Sequence, residues 1–178
     1  METKKYKMIK QENGMFRIKA LKSFSVISKG EVGGLIEKES NLSQSGDAWV
    51  FGDAWVFGDA QVYGDAQVYG DAQVYGNARV YGDAWVSGNA RVYGDARVYG
   101  DAQVYSNAWV SGNARVYGDA RVYGDARVYG NARVYGNARV SGRINITTKI
   151  DVEIPRILID NPKTLEEVLK FLKKYEFK

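Results

Sequence analysis

A six-residue repeat runs without interruption through more than half of this chain. From Gly46 to Ser141 the sequence is sixteen consecutive hexads of the form (Gly/Ser)-(Asp/Asn)-Ala-x-Val-(Tyr/Phe/Ser). So strict a period indicates a repeat architecture. Within a hexad, x-Val-aromatic predicts a short strand in which Val points to one side and its two neighbours to the other. The Gly-Asp or Gly-Asn pair predicts a corner, because Gly tolerates positive φ and Asp or Asn bonds the nearby backbone.

Three hexads can close a triangular coil of eighteen residues. Successive coils then stack as parallel strands about 4.8 Å apart. The interior is a narrow column of Val and Ala, which no single coil can bury alone. A disordered Gly-rich chain is disfavoured, because a Val and an aromatic residue recur in nearly every hexad. We therefore predict an all-β fold, a three-sided parallel β-solenoid with 18 residues per coil.

The repeated V-Y-G-D-A-R pattern resembles the hexapeptide repeat of left-handed β-helix proteins, best known as trimeric acyltransferases. This resemblance covers 96 of the 178 residues and implies a left-handed parallel β-helix. Tyr after Val departs from the small or acidic residue usual at that position. The segment "KGEVGGLIEKESNLSQSG", followed by "GNARVYGDARVYG" units, also resembles small, mostly uncharacterised proteins encoded by phages and prophages.

Both ends of the chain read as caps over the open ends of a solenoid. Residues 1–45 predict an N-terminal β cap with a hairpin around Asn13-Gly14. Residues 46–147 predict the solenoid, and 148–178 a strand followed by an amphipathic α-helix as the C-terminal cap. Thr164 and Glu167 form a capping box at the start of that helix. Its apolar face is interpreted as a lid on the last coil, with a partner-binding helix as the alternative.

Composition excludes several function classes. The chain has no cysteine, so we expect no disulfide and no thiolate metal site. Its net charge of +4 comes from the two ends, because residues 46–141 hold eight Arg and ten Asp. A slightly acidic repeat body makes nucleic acid an unfavoured partner. No apolar run has the length of a membrane span and no signal peptide is evident. We expect a cytoplasmic protein, in the host cytoplasm if it is phage-encoded.

The sequence offers no residues for the chemistry of the family that it resembles. Hexapeptide-repeat acyltransferases typically rely on a histidine base, and related carbonic anhydrases bind zinc through histidines; this chain has no histidine. We therefore expect no enzyme activity and no cofactor. One column of corner residues suggests a calcium site, because Ca²⁺ binds clustered carboxylate oxygens. It consists of Asp47, Asp65, Asp83, Asp101 and Asp119. Asn replaces Asp at six of sixteen corners without evident pattern, so a turn-forming role is favoured and no metal site is predicted.

Arranging the hexads in threes sorts the outward side chains onto three faces. Face 1 carries Gln61, Arg79, Arg97, Arg115 and Arg133 beside Tyr63, Tyr81, Tyr99, Tyr117 and Tyr135. Face 2 carries Trp49, Gln67, Trp85, Gln103, Arg121 and Arg139 beside Phe51, Tyr69, Ser87, Tyr105, Tyr123 and Ser141. Face 3 carries Trp55, Gln73, Arg91, Trp109 and Arg127 beside Phe57, Tyr75, Tyr93, Ser111 and Tyr129.

The aromatic faces are interpreted as interaction surfaces, because Tyr, Trp and Arg are enriched at interface hot spots. A contiguous exposed apolar surface of this size is also unusual on a monomer. The alternative is intramolecular, with Tyr rings stacked along each ladder and Arg paired with corner Asp. Trp85 with Ser87 and Trp109 with Ser111 break the repeat in the same way, which marks either a docking notch or drift among repeats.

We thus predict a non-catalytic interaction protein. Its partner would be another protein, including a bacterial host protein such as a defence component if the phage resemblance holds, or its own copies in a dimer or trimer. Two alternatives stay open: a binder of small anionic or nucleotide ligands between subunits, and an acyltransferase without histidine. The partner-binding residues are predicted to be Trp85, Ser87, Trp109, Ser111, Arg79, Arg97, Arg115, Arg133, Tyr81, Tyr99, Tyr117 and Tyr135.

Overall fold

A computed structural model describes residues 4–147 and the short strand at 158–159. Strands β1 (Tyr6–Lys10), β2 (Phe16–Ala20) and β3 (Val32–Ile36) and a 3-10 turn (Glu39–Asn41) precede the hexads. Each hexad then forms one strand. These are β4 (Trp49–Val50), β5 (Trp55–Val56), β6 (Gln61–Val62), β7 (Gln67–Val68), β8 (Gln73–Val74), β9 (Arg79–Tyr81), β10 (Trp85–Val86), β11 (Arg91–Val92), β12 (Arg97–Tyr99), β13 (Gln103–Val104), β14 (Trp109–Val110), β15 (Arg115–Tyr117), β16 (Arg121–Val122), β17 (Arg127–Val128), β18 (Arg133–Val134) and β19 (Arg139–Val140).

The hexad strands stack into three parallel sheets, one for each predicted face. Face 1 is the five-stranded sheet β6-β9-β12-β15-β18. Face 2 contains β4, β7, β10, β13, β16 and β19, and face 3 contains β5, β8, β11, β14 and β17. Residues eighteen apart are in register throughout, as for Arg97 and Arg115. The predicted three-sided parallel solenoid is confirmed, and the left-handed winding implied by the resemblance stays a prediction.

The corners of the coils depend on glycine. Fifteen hexads begin with Gly, at φ between 54 and 73°, which is the left-handed region that residues with a Cβ rarely adopt. A Cβ on Gly82 would also lie 3.0 Å from the backbone N of Gly100 in the next coil. Ser106 takes the same conformation with φ 61°. Close coil stacking and the turn geometry therefore both select the smallest residue.

The core is a column of two residue types. Every hexad Val and Ala is at most 4 % exposed. Burying these small side chains in every coil makes the core continuous along the solenoid axis, so each coil is stabilised by its two neighbours. From the second hexad onward, the outward residues on either side of each Val lie outside this buried core.

The N-terminal segment covers the first coil. Strands β1 and β2 form the predicted antiparallel hairpin, closed by a loop in which Gly14 has φ 82°. Strand β3 pairs antiparallel with β2 and parallel with β5, which joins the hairpin to face 3. A bridge from Leu42 to Val62 begins face 1 in the same way. Parallel pairing therefore starts before the first hexad.

The expectation that Trp49 is an exposed residue of face 2 is wrong. Its side chain is 0 % exposed, because Tyr6 and Phe24 of the cap pack edge-on against the indole at 6.2 and 5.4 Å between ring centroids. The indole Nε1 is buried and has no hydrogen-bond partner among the described residues. Trp49 thus anchors the cap, and the cap covers the first rung of face 2.

Lys5 anchors the cap to the first corner. Its Nζ donates hydrogen bonds to the carbonyl oxygens of Ala48 at 2.8 Å, Gly46 at 3.2 Å and Ser45 at 3.4 Å. The residue is 1 % exposed. Burial lowers the pKa of the Lys5 ammonium to about 8, and the nearby Asp47 carboxylate opposes that shift.

At the other end, β20 (Asn145–Ile146) extends face 3 and β21 (Leu158–Ile159) pairs with β19 of face 2. The predicted C-terminal helix, with Thr164 and Glu167, lies outside the described residues. Within the described part of the chain, no helix is long and apolar enough to cross a membrane.

Candidate interaction surface

Face 1 carries an unbroken ladder of stacked tyrosines. Consecutive ring centroids are 4.8 to 5.1 Å apart and the ring planes deviate from parallel by 2 to 6°. The ladder consists of Tyr63, Tyr81, Tyr99, Tyr117 and Tyr135. These rings are half-buried. The intramolecular alternative, in which Tyr rings stack along the ladder, is present on this face, and each inner ring is covered on both flat sides by its neighbours.

Stacking changes the chemistry of the phenols. Burial raises the pKa of Tyr63 and Tyr99 above the usual 10.0, and the adjacent phenols add to that rise. Neighbouring arginines, such as Arg115 beside Tyr99, oppose it. Tyr63 and Tyr99 therefore stay neutral at physiological pH.

An arginine ladder runs beside the tyrosines. Arg79, Arg97, Arg115 and Arg133 occupy one position of successive coils and are in register. Neighbouring strands are about 4.8 Å apart, and two like unit charges at that separation would repel by about 1 kcal/mol in water. Within the described part of the chain, Arg79, Arg97 and Arg115 form no ion pair with a corner aspartate. The alternative in which arginines pair with these aspartates therefore does not hold for them. Among the described residues, the ion pairs with corner aspartates come from the cap, namely Arg17–Asp53 and Lys38–Asp59.

The corner residues are distributed by column, so the expectation that Asn replaces Asp without pattern is wrong. The edge between faces 1 and 2 has Asp at five successive coils and then Asn; its members are Asp47, Asp65, Asp83, Asp101, Asp119 and Asn137. The other two edges hold the remaining five asparagines. There Asn side chains donate to the residue one coil on, as from Asn77 to Asp95 at 3.1 Å and from Asn107 to Asp125 at 3.1 Å.

The aspartate edge is therefore the acidic side of the molecule. Asp47, Asp65, Asp83 and Asp101 line an open groove of about 460 Å³ together with Ser25, Gln67, Trp85 and Gln103. In residues 4–147 and 158–159 no group of three or more acidic side chains converges as metal ligands would. The eighteen-residue spacing in the sequence already places these aspartates in one column; that five of the six asparagines lie in the other two columns was missed.

The two Trp/Ser irregularities lie on different faces and serve intramolecular contacts. Trp85 of face 2 packs edge-on against Tyr69 at 6.0 Å, one coil below the gap that Ser87 leaves in the aromatic ladder. Trp85 is 43 % exposed. Trp109 of face 3 is flanked by the guanidinium groups of Arg91 at 5.3 Å and Arg127 at 4.5 Å. The structure thus does not bring the two tryptophans into one site.

Face 1 is also the most regular of the three. The strands that extend to three residues, Arg79–Tyr81, Arg97–Tyr99 and Arg115–Tyr117, all belong to it. Its aromatic ladder has no Ser, whereas faces 2 and 3 are interrupted at Ser87 and Ser111. Eight of the twelve predicted binding residues therefore lie together on face 1, and the Trp/Ser residues lie on the other two faces.

The repeat matches a known family. The family model described as the YdcK beta solenoid repeat matches residues 72–88, 84–100, 90–106, 108–124, 120–134 and 132–143. The starting points differ by multiples of six residues, and the longer matches span nearly one coil. A search among curated proteins found no match to the chain. The kinship with acyltransferases and the phage origin stay predictions. Repeat match and parallel coils together establish a β-solenoid repeat protein.

Proposed function

We propose that this chain is a non-catalytic interaction scaffold whose binding surface is face 1. The observation that carries the proposal is the stacked tyrosine ladder beside an arginine ladder in which Arg79, Arg97 and Arg115 have no ion pair among the described residues. Tyr and Arg are the residues that dominate interface energies. Because stacking already orders the rings, little conformational entropy is lost when a partner binds.

The composition supports a role without catalysis. The chain contains no histidine and no cysteine, so it lacks the general base of the acyltransferases that its repeat resembles and any thiol nucleophile. The carboxylates of the solenoid are corner residues with a turn-forming role. The resemblance to phage and prophage proteins favours a bacterial host protein among foreign partners, and inhibition of that protein would be the biological consequence.

Site-specific photocrosslinking in a bacterial host tests the proposal. A photoreactive benzoylphenylalanine replaces Tyr99 on face 1, Tyr105 on face 2 or Tyr75 on face 3, three half-buried ladder positions that serve as matched controls for one another. We expect covalent protein adducts from position 99 in clear excess over the other two. Equal yields from all three faces, or none from any, would contradict the proposal.

A further inference from the structure

Two stripes run along the solenoid axis on face 1, and a third runs along the edge that it shares with face 2. The arginine ladder comes first, the tyrosine ladder lies beside it, and the aspartate edge follows where face 1 meets face 2. Each Arg and the Asp four residues later belong to the same coil. The pairs are Arg79 with Asp83, Arg97 with Asp101 and Arg115 with Asp119.

We propose that face 1 binds face 1 of a second copy of this chain, in a parallel dimer whose two-fold axis runs along the tyrosine ladder. The inference rests on the proposed function and names the partner. A two-fold axis parallel to the stripes exchanges left and right but keeps every coil at its own height. The arginine stripe of each protomer then faces the aspartate stripe of the other, and the tyrosine ladders meet in the centre.

The vertical register of this dimer follows from symmetry. Arg97 of one protomer faces Asp101 of the other, and the same holds for Arg79 with Asp83 and for Arg115 with Asp119. At the two ends Gln61 meets Asp65 and Arg133 meets Asn137, so no coil of face 1 sets like charges against each other. Because both stripes repeat once per coil, every pair forms at the same height.

The other two faces are less self-complementary, because each contains only one pair of opposite charges, Arg121 with Asp125 and Arg91 with Asp95. The same operation on face 2 would oppose Arg139 and Arg143, and in the middle of the sheet it would oppose Trp85 and Asn89. On face 3, Trp109 would meet Asn113, and its flanking Arg91 and Arg127 already contact the indole. Asp83, Asp101 and Asp119 are exposed, and they make no ion pair with any described residue.

The first measurement is the mass of the full chain by sedimentation and light scattering. We expect a dimer at about 0.1 M salt that dissociates towards about 1 M salt, because the screening length falls from about 10 Å to about 3 Å. A monomer at every concentration tested at the lower salt, or a trimer, would overturn the inference.

A charge swap tests the pairing itself. One triple variant carries Arg79→Glu, Arg97→Glu and Arg115→Glu, and the other carries Asp83→Arg, Asp101→Arg and Asp119→Arg. Each variant alone sets like charges against each other, so its dimer should weaken on the order of 100-fold or more. Mixed together, the two variants restore opposite charges in every pair, and we expect a heterodimer by native mass spectrometry. Absence of that heterodimer would overturn the pairing.

A matched control distinguishes the effect of the face 1 charges on dimerisation from the effect of net charge. The variant Arg91→Glu, Arg121→Glu, Arg127→Glu removes the same charge from faces 2 and 3 and should dimerise like the wild type. Circular dichroism confirms that each variant folds, and heterodimer formation does so independently. Crosslinks from Tyr99 to a host protein but not to a second copy would contradict the dimer and leave the proposed function standing; no face preference at all would contradict the proposed function.

Discussion

At the scale of single residues, the most consequential group outside face 1 is Lys5. A buried ammonium between three carbonyl oxygens of the first corner is favourable only because those oxygens would otherwise lose a donor. The Lys5 amine thus supplies donors to these carbonyl groups, although burial disfavours its charged form. Trp49 beside it shows the opposite case, a large side chain whose apolar packing outweighs an indole NH without a partner among the described residues.

The stability of the protein should depend on Lys5 in an alkaline window. Its pKa of about 8 in the folded state lies below the usual 10.5, so between these values the unfolded chain binds more protons. The free energy of unfolding should therefore rise with pH from about 8 towards 10.5. Above 10 the rise is opposed, because burial raises the pKa of Tyr6 and the unfolded phenol ionises first.

Replacing Lys5 by Met should remove the rise and also destabilise the protein at pH 7 by about 1 to 3 kcal/mol, because buried carbonyl groups lose their donor. Lys7→Met, on the exposed side of β1, is the control and should leave both the pH profile and the stability unchanged. Denaturant unfolding at a series of pH values measures both effects. A wild-type profile that is flat or falls between pH 8 and 10 would count against this role of Lys5.

At the scale of elements, each interruption of an aromatic ladder is accompanied by a Trp two residues earlier in the same hexad. Where Ser87 removes a ring from face 2, Trp85 two residues earlier packs on Tyr69 below the gap. On face 3 the same substitution places Trp109 between two arginines. A strand can thus stabilise its outward side either through the ladder position or through the x position, and the Trp/Ser hexads use the second.

Introducing a Trp/Ser pair on face 1 tests whether such a Trp compensates for the missing ring. Tyr99→Ser should destabilise the solenoid by about 1 to 3 kcal/mol, because two stacked contacts are lost. Adding Arg97→Trp to Tyr99→Ser should restore part of that loss, since the new indole can pack on Tyr81. Tyr99→Phe, which keeps the ring, should change little. Guanidinium unfolding measures all three, and a double variant no more stable than Tyr99→Ser would show that the natural Trp/Ser pairs are not compensating.

At the scale of the whole molecule, the core and the surface have different sequence periods. Every hexad contributes the same Val and Ala to the core, so the core has a period of six residues. The surface stripes of face 1 recur only every third hexad, so they have a period of eighteen. Folding therefore depends on the shorter period and the proposed binding on the longer one.

Deletions separate these two periods. Removing residues 94–111, one full coil, keeps every later strand on its own face, whereas removing residues 94–99, one hexad, moves all later strands to the next face. We expect both proteins to unfold cooperatively as β-solenoids by circular dichroism. Only the full-coil deletion should keep the dimer by light scattering. If the single-hexad deletion also dimerised, the stripes of face 1 would not be what the two copies recognise.

The hexads predict the coil, the core and the assignment of side chains to faces, because each of these depends on local chemistry repeated many times. Contacts between the repeat and its surroundings could not be predicted. Trp49 is buried by a cap that the repeat does not encode, and the environment of Trp109 depends on arginines one coil above and one below. The aspartate edge was visible in the sequence, but its meaning depends on the neighbouring arginine stripe.

The attachment of β3 to β5 also bears on how the chain folds in time. The cap precedes the coils in the chain, so it leaves the ribosome before them and offers a finished sheet edge. At about 5 to 20 residues per second, synthesis supplies eighteen residues, one coil, every ~1 to 4 s. Short strands pair far faster than that. Each coil can therefore close on the one before it as it emerges, and an unpaired edge is never longer than the newest coil.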